Sequence, residues 1–375
     1  MKSDEKLILE SNLPNPAVQF WKKQGKKVMG TICCHVPEEI IHAAGLLPYR
    51  IRATGCTDNS RGESWMTSFS CSFASSCLEL LFNGTYDFLD GVVTSNGCMH
   101  AQRLYDNWRL NDSRPFVQSL TVPRKVSDSA ISYYREELNQ LKEGLEKFTG
   151  VAITDEKLEN SVKIYNETRR LIRELYDLRR SGSPVLTGTQ SQNLILAAMS
   201  MPKEQYNELL SSYLEEAKGK EPLTTCGARL MIIGSALDDP EFIKIIEDNG
   251  GTVVTDVQCF GSRYLWEPVV LEGDVMTSLA TSYLTRPTCH RMVDQHQALF
   301  DFTIDMVRNH NVEGIIFAKM KNCDVWGGEN LFLEERFKKA NIPVLSLERE
   351  EIMTNSLQVS VRVEAFIEML QGVGI

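Results

Sequence analysis

Short apolar segments that alternate with amphipathic segments restrict the fold of this chain more than any other feature. The pattern runs through the first third of the sequence and returns after residue 227, where RLMIIGS, GTVVTDV, EGIIFAKM and IPVLSLERE alternate with helical segments such as DPEFIKIIEDNG. Strands that are buried on both faces read as short apolar runs, and helices supply the crossovers between parallel strands. The alternation therefore predicts α/β architecture with mostly parallel sheets that are covered on both sides.

The length of the chain and a change of character in its middle indicate more than one domain. At 375 residues it is long for a single hydrophobic core. Segments such as SAISYYREELNQLKEGLEKF are long, charged and amphipathic, which is typical of helices. We predict two Rossmann- or flavodoxin-like lobes joined by a helical segment, with the N-terminal α/β lobe at 1–126, the helical connecting segment at 127–222 and the C-terminal α/β lobe at 223–375.

Charge and hydropathy exclude two classes of partner. The formal net charge is -10, and Lys and Arg are mixed with acidic residues, which disfavours a nucleic-acid-binding surface. No window contains the roughly 18 consecutive apolar residues that would span a bilayer, and the N-terminal residues lack the apolar core of a signal peptide. We expect a cytoplasmic protein with neither nucleic acid nor a membrane as partner.

Ten cysteines are more than packing requires, and in a reducing cytoplasm they favour metal binding over disulfides. Cys98 and Cys323 each follow an apolar segment that predicts a strand, and ligands gather beyond the carboxyl ends of parallel strands. Cys71 opens a predicted helix, whose N-terminus should lower the pKa of the thiol. We therefore predict that Cys71, Cys98 and Cys323 ligate a metal centre between the two lobes.

The spacing of the cysteines favours a cluster that tertiary structure assembles. No C-x-x-C pair occurs, which argues against a zinc ribbon, a thioredoxin-like site and a bacterial ferredoxin motif. Three thiolates would leave one iron of a 4Fe-4S cluster without a cysteine ligand, and catalytic metals commonly keep such an open position. His100 lies two residues after Cys98 and is a candidate for a hydrogen bond toward the cluster.

The other cysteines are weaker candidates. Cys259 follows a predicted strand and is the strongest rival ligand. Cys77 points about 240° away from Cys71 around the predicted helix, so we expect it to pack in the core. Cys33 and Cys34 belong to the predicted strand VMGTICC and should face opposite sides, so they cannot both aim at one centre. The cysteines in predicted loops, which we expect to serve packing or surface, are Cys56, Cys226 and Cys289.

Common nucleotide and hydrolase motifs are absent from the sequence. It contains no G-x-x-x-x-G-K-S/T, no H-E-x-x-H and no G-x-S-x-G. An intrinsic P-loop ATPase, a zincin and an α/β-hydrolase therefore have no support. If ATP is involved, another protein hydrolyses it.

Several segments, in this order, resemble the family of 2-hydroxyacyl-CoA dehydratase and benzoyl-CoA reductase subunits, including the 2-hydroxyglutaryl-CoA dehydratase D-component. The resemblance covers nearly the whole chain. It departs from many relatives at CDVWGGE, where they carry C-D-P, and at MHAQ after Cys98, where they often carry an acidic residue. The segments that carry the resemblance are VPEEIIHAAG, CSFASSCLELLFNGTYDFLDGVV and NCDVWGGENLFLEERFKKANIPVLSLERE.

The resemblance implies a subunit of an oxygen-sensitive enzyme with a 4Fe-4S cluster between its lobes, held by Cys71, Cys98 and Cys323. It implies a heterodimer with a homologous second subunit and a separate ATP-hydrolysing iron-sulfur activator protein. The implied reaction is the dehydration of an (R)-2-hydroxyacyl-CoA thioester, in which one low-potential electron forms a ketyl radical and is then recovered. Arg103, Arg109 and Arg124 are candidates for contact with the phosphates of coenzyme A.

Three other functions remain open. The chain could be a subunit of an ATP-dependent benzoyl-CoA reductase, because the same electron chemistry without return of the electron reduces an aromatic ring. It could be an electron-relay subunit whose partner binds the substrate. It could also be a two-lobed binding module with a structural metal.

Overall fold

Two parallel sheets form the framework of the protein. The computed structural model describes residues 2–13, 15–67, 69–180, 182–224, 226–286, 289–353 and 356–372. Within these residues eight strands form two four-stranded sheets, and every pair of neighbouring strands is parallel. The predicted α/β class with two Rossmann- or flavodoxin-like lobes is confirmed.

The first sheet has the strand order β2-β1-β3-β4. Its two central strands, β1 and β3, are buried along their whole length, as expected for strands that helices cover on both faces. Strand β4 was not predicted, because FVQSL lies at the edge, is only partly buried and lacks a continuous apolar run. The strands are β1 (Val28–Thr31), β2 (Leu47–Arg50), β3 (Gly91–Ser95) and β4 (Phe116–Leu120).

Helices connect these strands and precede them. The strand predicted at VMGTICC ends at Thr31, three residues earlier than expected. The helix predicted from Cys71 is confirmed and begins at Ser72. The helices of this part are α1 (Ser3–Glu10), α2 (Pro16–Lys23), α3 (Glu38–Ala43), α4 (Ser60–Trp65), α5 (Ser72–Phe82) and α6 (Met99–Asn111).

Four helices lie among the described residues of 127–222, and the two longest correspond to the amphipathic segments that predicted helices. The backbone N–H of Lys157 donates to the Thr154 hydroxyl at 3.3 Å, so Thr154 caps the second of these helices. The first of these helices packs in one core with Met29 and Val93 of the first sheet. The division of the chain into three segments stays a prediction. The helices are α7 (Asp128–Thr149), α8 (Asp155–Asp177), α9 (Gly188–Ala198) and α10 (Lys203–Ala217).

The second sheet has the order β6-β5-β7-β8 and repeats the arrangement of the first. Its strands match the four apolar segments predicted after residue 227. They are β5 (Ala228–Gly234), β6 (Gly251–Val257), β7 (Gly314–Met320) and β8 (Val344–Arg349). The helices beside them are α11 (Pro240–Asp248), α12 (Val275–Thr285), α13 (His296–Asn309), α14 (Asp324–Lys339) and α15 (Ser356–Leu370).

The sequence pattern does not predict helix α12. Its sequence, VMTSLATSYLT, is rich in Thr and Ser, which have weak helix propensity. Asp274 caps it by accepting a hydrogen bond from the backbone N–H of Thr277 at 3.0 Å. Leu279 and Tyr283 are buried in the core that contains α7. Tertiary packing therefore stabilises a helix that local propensity did not predict.

Among the described residues, no helix combines the length and the apolar composition needed to cross a bilayer.

Candidate metal site

The central strands of both sheets end at one cavity. In each sheet the strand order reverses between its two central strands, β1 and β3 in the first and β5 and β7 in the second. Ligands of α/β sheets bind at such reversal points, beyond the carboxyl ends of the strands. The cavity between them has a volume of about 140 Å³. Seven cysteines line it: Cys33, Cys34, Cys71, Cys98, Cys259, Cys289 and Cys323.

The three predicted ligands, Cys71, Cys98 and Cys323, all line this cavity. Each occupies the N-cap of a helix, in front of α5, α6 and α14 respectively. The backbone N–H of Ala101 donates to Cys98 Sγ at 3.4 Å. The structure thus brings the three thiols to one place, at the positions that the strand-end argument indicated. Their ligation of metal stays a prediction.

The protonation of these thiols differs from the expectation. The helix N-terminus was predicted to lower the pKa of Cys71, but burial and the neighbouring Cys98 raise it well above the ordinary thiol value, against the N–H of Ala74. Burial likewise raises the pKa of Cys98 to about 11 and raises that of Cys323. The prediction was wrong because the desolvation of a buried thiolate outweighs the field of one helix terminus. Without metal, the three groups are neutral thiols near neutral pH.

The donor set consists of thiols, whose chemistry fits an iron-sulfur cluster. Thiolates are soft ligands that select iron-sulfur clusters, zinc or Cu(I). In the described part of the chain, no three Cys, His, Asp or Glu side chains converge closely enough to hold one metal ion. Each iron of a cubane takes its own cysteine, so the thiolates of a cluster lie farther apart than those around one ion. The cavity is also smaller than the roughly 300–1,000 Å³ pockets that take drug-sized ligands, which suits a compact inorganic group.

Cys33 and Cys34 contradict the prediction that they face opposite sides. Strand β1 ends at Thr31, so the alternation of a strand does not apply to them. Cys33 has φ of 78°, in the left-handed region, and both residues line the cavity. Cys98 was selected because it follows the end of a predicted strand. If β1 had been predicted to end at Thr31, the same argument would have selected Cys33 and Cys34.

The remaining cysteines divide between cavity, core and surface. Cys259 lines the cavity, in keeping with its prediction as the rival ligand, and so does Cys289, which was predicted to serve only packing or surface. The assignment of Cys289 to packing or surface stays a prediction. Cys77 is fully buried in the core of the first sheet, as predicted. Cys226 is exposed, and Cys56 is half-buried beside Asp58.

His100 connects two of the cysteine-bearing segments. It is 4% exposed and lines the cavity, and its Nε2 lies 2.8 Å from the carbonyl oxygen of Asn322. Because a carbonyl oxygen only accepts, Nε2 is the donor in this hydrogen bond. His100, on the helix that follows Cys98, therefore holds the turn that precedes Cys323. A hydrogen bond from His100 to a cluster stays a prediction.

Three buried arginines, which the sequence patterns did not indicate, also line the cavity: Arg50, Arg263 and Arg291. Arg50 is the last residue of β2, so the rule that selected cysteines at strand ends also points to it. Arg291 donates to the carbonyl oxygens of Gly97 at 3.1 Å and Val122 at 2.8 Å, which holds its positive charge in place. These cations can offset the negative charge of thiolates that bind metal.

The arginines that were proposed for coenzyme A lie elsewhere. Arg103 pairs with Asp106 on α6 at 3.2 Å, and Arg103, Arg109 and Arg124 are exposed. None of the three lines the cavity. Contact between these side chains and a thioester stays a prediction.

The VPEE segment beside the cavity builds a buried ionic network. Glu39 pairs with Arg169 of α8 at 2.6 Å and accepts a hydrogen bond from the Tyr283 hydroxyl at 2.7 Å. Glu38 pairs with Lys203 of α10 at 3.2 Å. Helix α3, whose sequence is EEIIHA, is thus tied to α8 and α10 by buried ion pairs and to α12 by a hydrogen bond. This network explains why two adjacent acidic residues stand in an otherwise apolar segment.

The chain is an α/β protein with two parallel sheets and a cysteine-lined cavity at the ends of their strands. Comparison with known proteins shows which family of such proteins it belongs to. The model of the 2-hydroxyglutaryl-CoA dehydratase D-component family matches residues 33–370. The chain belongs to this family, which confirms the resemblance found in the sequence and the prediction of an enzyme subunit.

Relatives of known name match over nearly their full length. A benzoyl-CoA reductase subunit of Thauera aromatica is 31% identical over 351 residues, which cover 92% of this chain and 91% of that protein. The (R)-phenyllactyl-CoA dehydratase beta subunit of Clostridium sporogenes is 27% identical over 369 residues, 98% of both chains. The beta subunit of (R)-2-hydroxyglutaryl-CoA dehydratase of Acidaminococcus fermentans is 25% identical over 366 residues, 95% of this chain and 96% of that one.

Proposed function

We propose that the chain is the iron-sulfur subunit of an (R)-2-hydroxyacyl-CoA dehydratase, which removes water from its thioester substrate by a ketyl-radical route. The observation that carries the proposal is the meeting of Cys71, Cys98 and Cys323 in one cavity between the sheets. Two relatives, from Clostridium sporogenes and Acidaminococcus fermentans, are named as dehydratase subunits and match this chain nearly from end to end.

Cys71, Cys98 and Cys323 would hold a 4Fe-4S cluster. When bound, it would supply one low-potential electron to the thioester and take it back. The chain's own residues prepare the place for it. Three thiolates would bind the cluster, and His100 orients the turn before Cys323. The burial of these side chains excludes water from the site.

Positive charge beside the thiols favours their anionic form once metal replaces the protons. Arg263 lies close to Cys259 and Cys289, and Arg291 is fixed by backbone carbonyl groups of 96–97 and 122–123. The dehydration itself is redox-neutral, because the electron that is delivered is recovered. A site that holds its charges rigidly and dry is suited to pass one electron with little reorganisation.

The proposal includes partners and a location. The relatives are named as subunits, and we propose that this chain pairs with a homologous second subunit in a heterodimer. A separate ATP-hydrolysing iron-sulfur activator protein would deliver the electron, since the sequence has no P-loop motif. The acyl-CoA thioester is the substrate, and we propose a cytoplasmic location.

The second candidate function is a subunit of an ATP-dependent benzoyl-CoA reductase. The 31% identity with the Thauera aromatica protein favours it. The two reactions differ in their electron balance. A dehydratase turns over many substrate molecules for each electron delivered, whereas a ring reductase consumes two electrons for each ring that it reduces.

The test is anaerobic purification together with the neighbouring subunit, followed by iron analysis and assays on 2-hydroxyacyl-CoA and benzoyl-CoA thioesters. We expect iron in the preparation, and an enoyl-CoA product at substoichiometric electron cost. Cys98→Ser should lose iron, whereas Cys226→Ser, at an exposed thiol away from the cavity, should keep it. A colourless zinc-containing preparation would contradict the proposal and favour a binding module.

The same preparation decides whether this subunit meets the substrate. Addition of a thioester should change the electron paramagnetic resonance spectrum of the reduced cluster if the substrate binds at it. An unchanged spectrum during active turnover would assign the chain to electron relay and catalysis to its partner.

A further inference from the structure

Four more cysteines share the cavity with the three proposed cluster ligands: Cys33, Cys34, Cys259 and Cys289. A cubane on Cys71, Cys98 and Cys323 leaves all four without a use. A buried cysteine in a core needs no explanation, as Cys77 shows, but these four border an internal space. Seven thiols around a volume of about 140 Å³ form a donor set that exceeds one cluster.

The backbone at Cys33 is arranged to bring two adjacent thiols to the same side. A non-glycine residue with a φ of 78° is uncommon and costs conformational energy, and such residues concentrate at functional sites. Successive side chains of a strand would diverge, whereas Cys33 and Cys34 both reach the cavity. Space is also reserved for them, because a Cβ added at Gly97 would lie 3.0 Å from Cys33 Sγ.

A buried cation stands among the same thiols. Arg50 is 4% exposed and stacks on the Phe260 ring, with its Cζ 5.0 Å from the ring centroid. Its buried Nε has no hydrogen-bond partner among the described residues. Arg50 therefore places a buried positive charge in the cavity that Cys33, Cys34 and Cys259 also line.

His290, next to Cys289, is a second buried residue with a nitrogen that lacks a hydrogen-bond partner. It is 8% exposed, its Nδ1 has no partner among the described residues, and its Nε2 lies 3.9 Å from Cys289 Sγ. Buried polar atoms are nearly always paired, so Arg50 Nε and His290 Nδ1 each lack the partner that a buried nitrogen ordinarily has.

We propose that Cys33, Cys34, Cys259 and Cys289 form a second thiolate set that binds iron-sulfur in the same cavity, in addition to the cluster on Cys71, Cys98 and Cys323. This inference rests on the proposed function, which assigns the first cluster, and adds a second iron-sulfur group to the same chain. Iron-sulfur fits better than zinc, because no three of these side chains converge on one point for a single ion in the described residues.

The test is the amount of iron that the whole chain binds after anaerobic reconstitution with iron and sulfide. We expect about eight irons per chain, twice the content of one cubane. Cys259→Ser and Cys289→Ser should each lower this value toward about four, as should the double change Cys33→Ser and Cys34→Ser. Cys226→Ser is the matched control, since its thiol is exposed and outside the cavity, and should leave the value unchanged.

The outcomes separate this inference from the proposed function. Wild-type protein that binds only about four irons, all lost on Cys71→Ser and unaffected by Cys259→Ser and Cys289→Ser, overturns the second set and leaves the first cluster intact. Wild-type protein that binds no iron overturns both. The wild-type count requires no variant to fold, and far-ultraviolet circular dichroism checks that each variant keeps its helices.

Discussion

His100 Nε2 lies 2.8 Å from the carbonyl oxygen of Asn322, so the helix that follows Cys98 holds the turn that precedes Cys323. The two segments come from different sheets, at the ends of β3 and β7. This hydrogen bond therefore links the segments that carry two of the proposed ligands.

Replacement of His100 should therefore loosen the site. We expect His100→Ala to lower folding stability by about 1–3 kcal/mol and to speed iron release to a chelator, because a buried hydrogen bond is lost. Thermal unfolding of the metal-free chain and chelation kinetics of the loaded chain measure the two effects. His100→Gln, whose amide can donate to the same carbonyl, should recover part of both. If alanine behaves like the wild type, the contact does not position Cys323.

The raised thiol pKa values predict how the stability of the metal-free chain depends on pH. Burial raises the pKa of Cys71, Cys98 and Cys323 in the folded chain, that of Cys98 to about 11, whereas an unfolded thiol titrates near about 8.5. Between these values the folded chain binds more protons than the unfolded one. The stabilising contribution is therefore complete below about pH 8.5 and lost as the pH rises toward about 11.

Denaturation midpoints of the metal-free chain at about pH 8 and about pH 10 check this dependence. The midpoint should fall at the higher pH, and Cys98→Ser should reduce the fall. Metal binding displaces the same protons, so cluster loading should proceed further as the pH increases. A midpoint that rises with pH would show that these thiols are not protonated in the folded chain.

Much of the fold followed from local patterns, because apolar runs and caps are properties of neighbouring residues. The strand ends that carry Cys98 and Cys323 could be located in this way. Strand β4 and helix α12 could not, since their stability comes from contacts with distant segments. The prediction for Cys33 and Cys34 failed for a different reason. Cys33 has a positive φ, and no preference of its residue type indicates this conformation.

The glycine beside Cys33 offers a test that replaces no cysteine. A Cβ at Gly97 would lie 3.0 Å from Cys33 Sγ, closer than ordinary van der Waals contact, so Gly97→Ala should displace that thiol. We expect bound iron to fall by up to about half if Cys33 belongs to a second set. Gly328→Ala on α14 is the control, because nothing lies within 4 Å of an added Cβ there. Equal iron content in both variants would exclude Cys33 as a ligand.

The buried pair of Arg169 and Glu39 should dominate the stability of the helices around the cavity. Its nitrogen and oxygen are 2.6 Å apart, with side chains that are 1% and 0% exposed. Arg169→Met would leave the Glu39 charge buried and opposed only by hydrogen bonds, which costs about 3–5 kcal/mol. The neighbouring Arg170 pairs with Glu167 at the same distance but is 47% exposed, so Arg170→Met should cost less than about 1 kcal/mol. Chemical denaturation compares the two, and Glu39→Gln added to Arg169→Met should restore part of the loss, because it removes the unpaired charge.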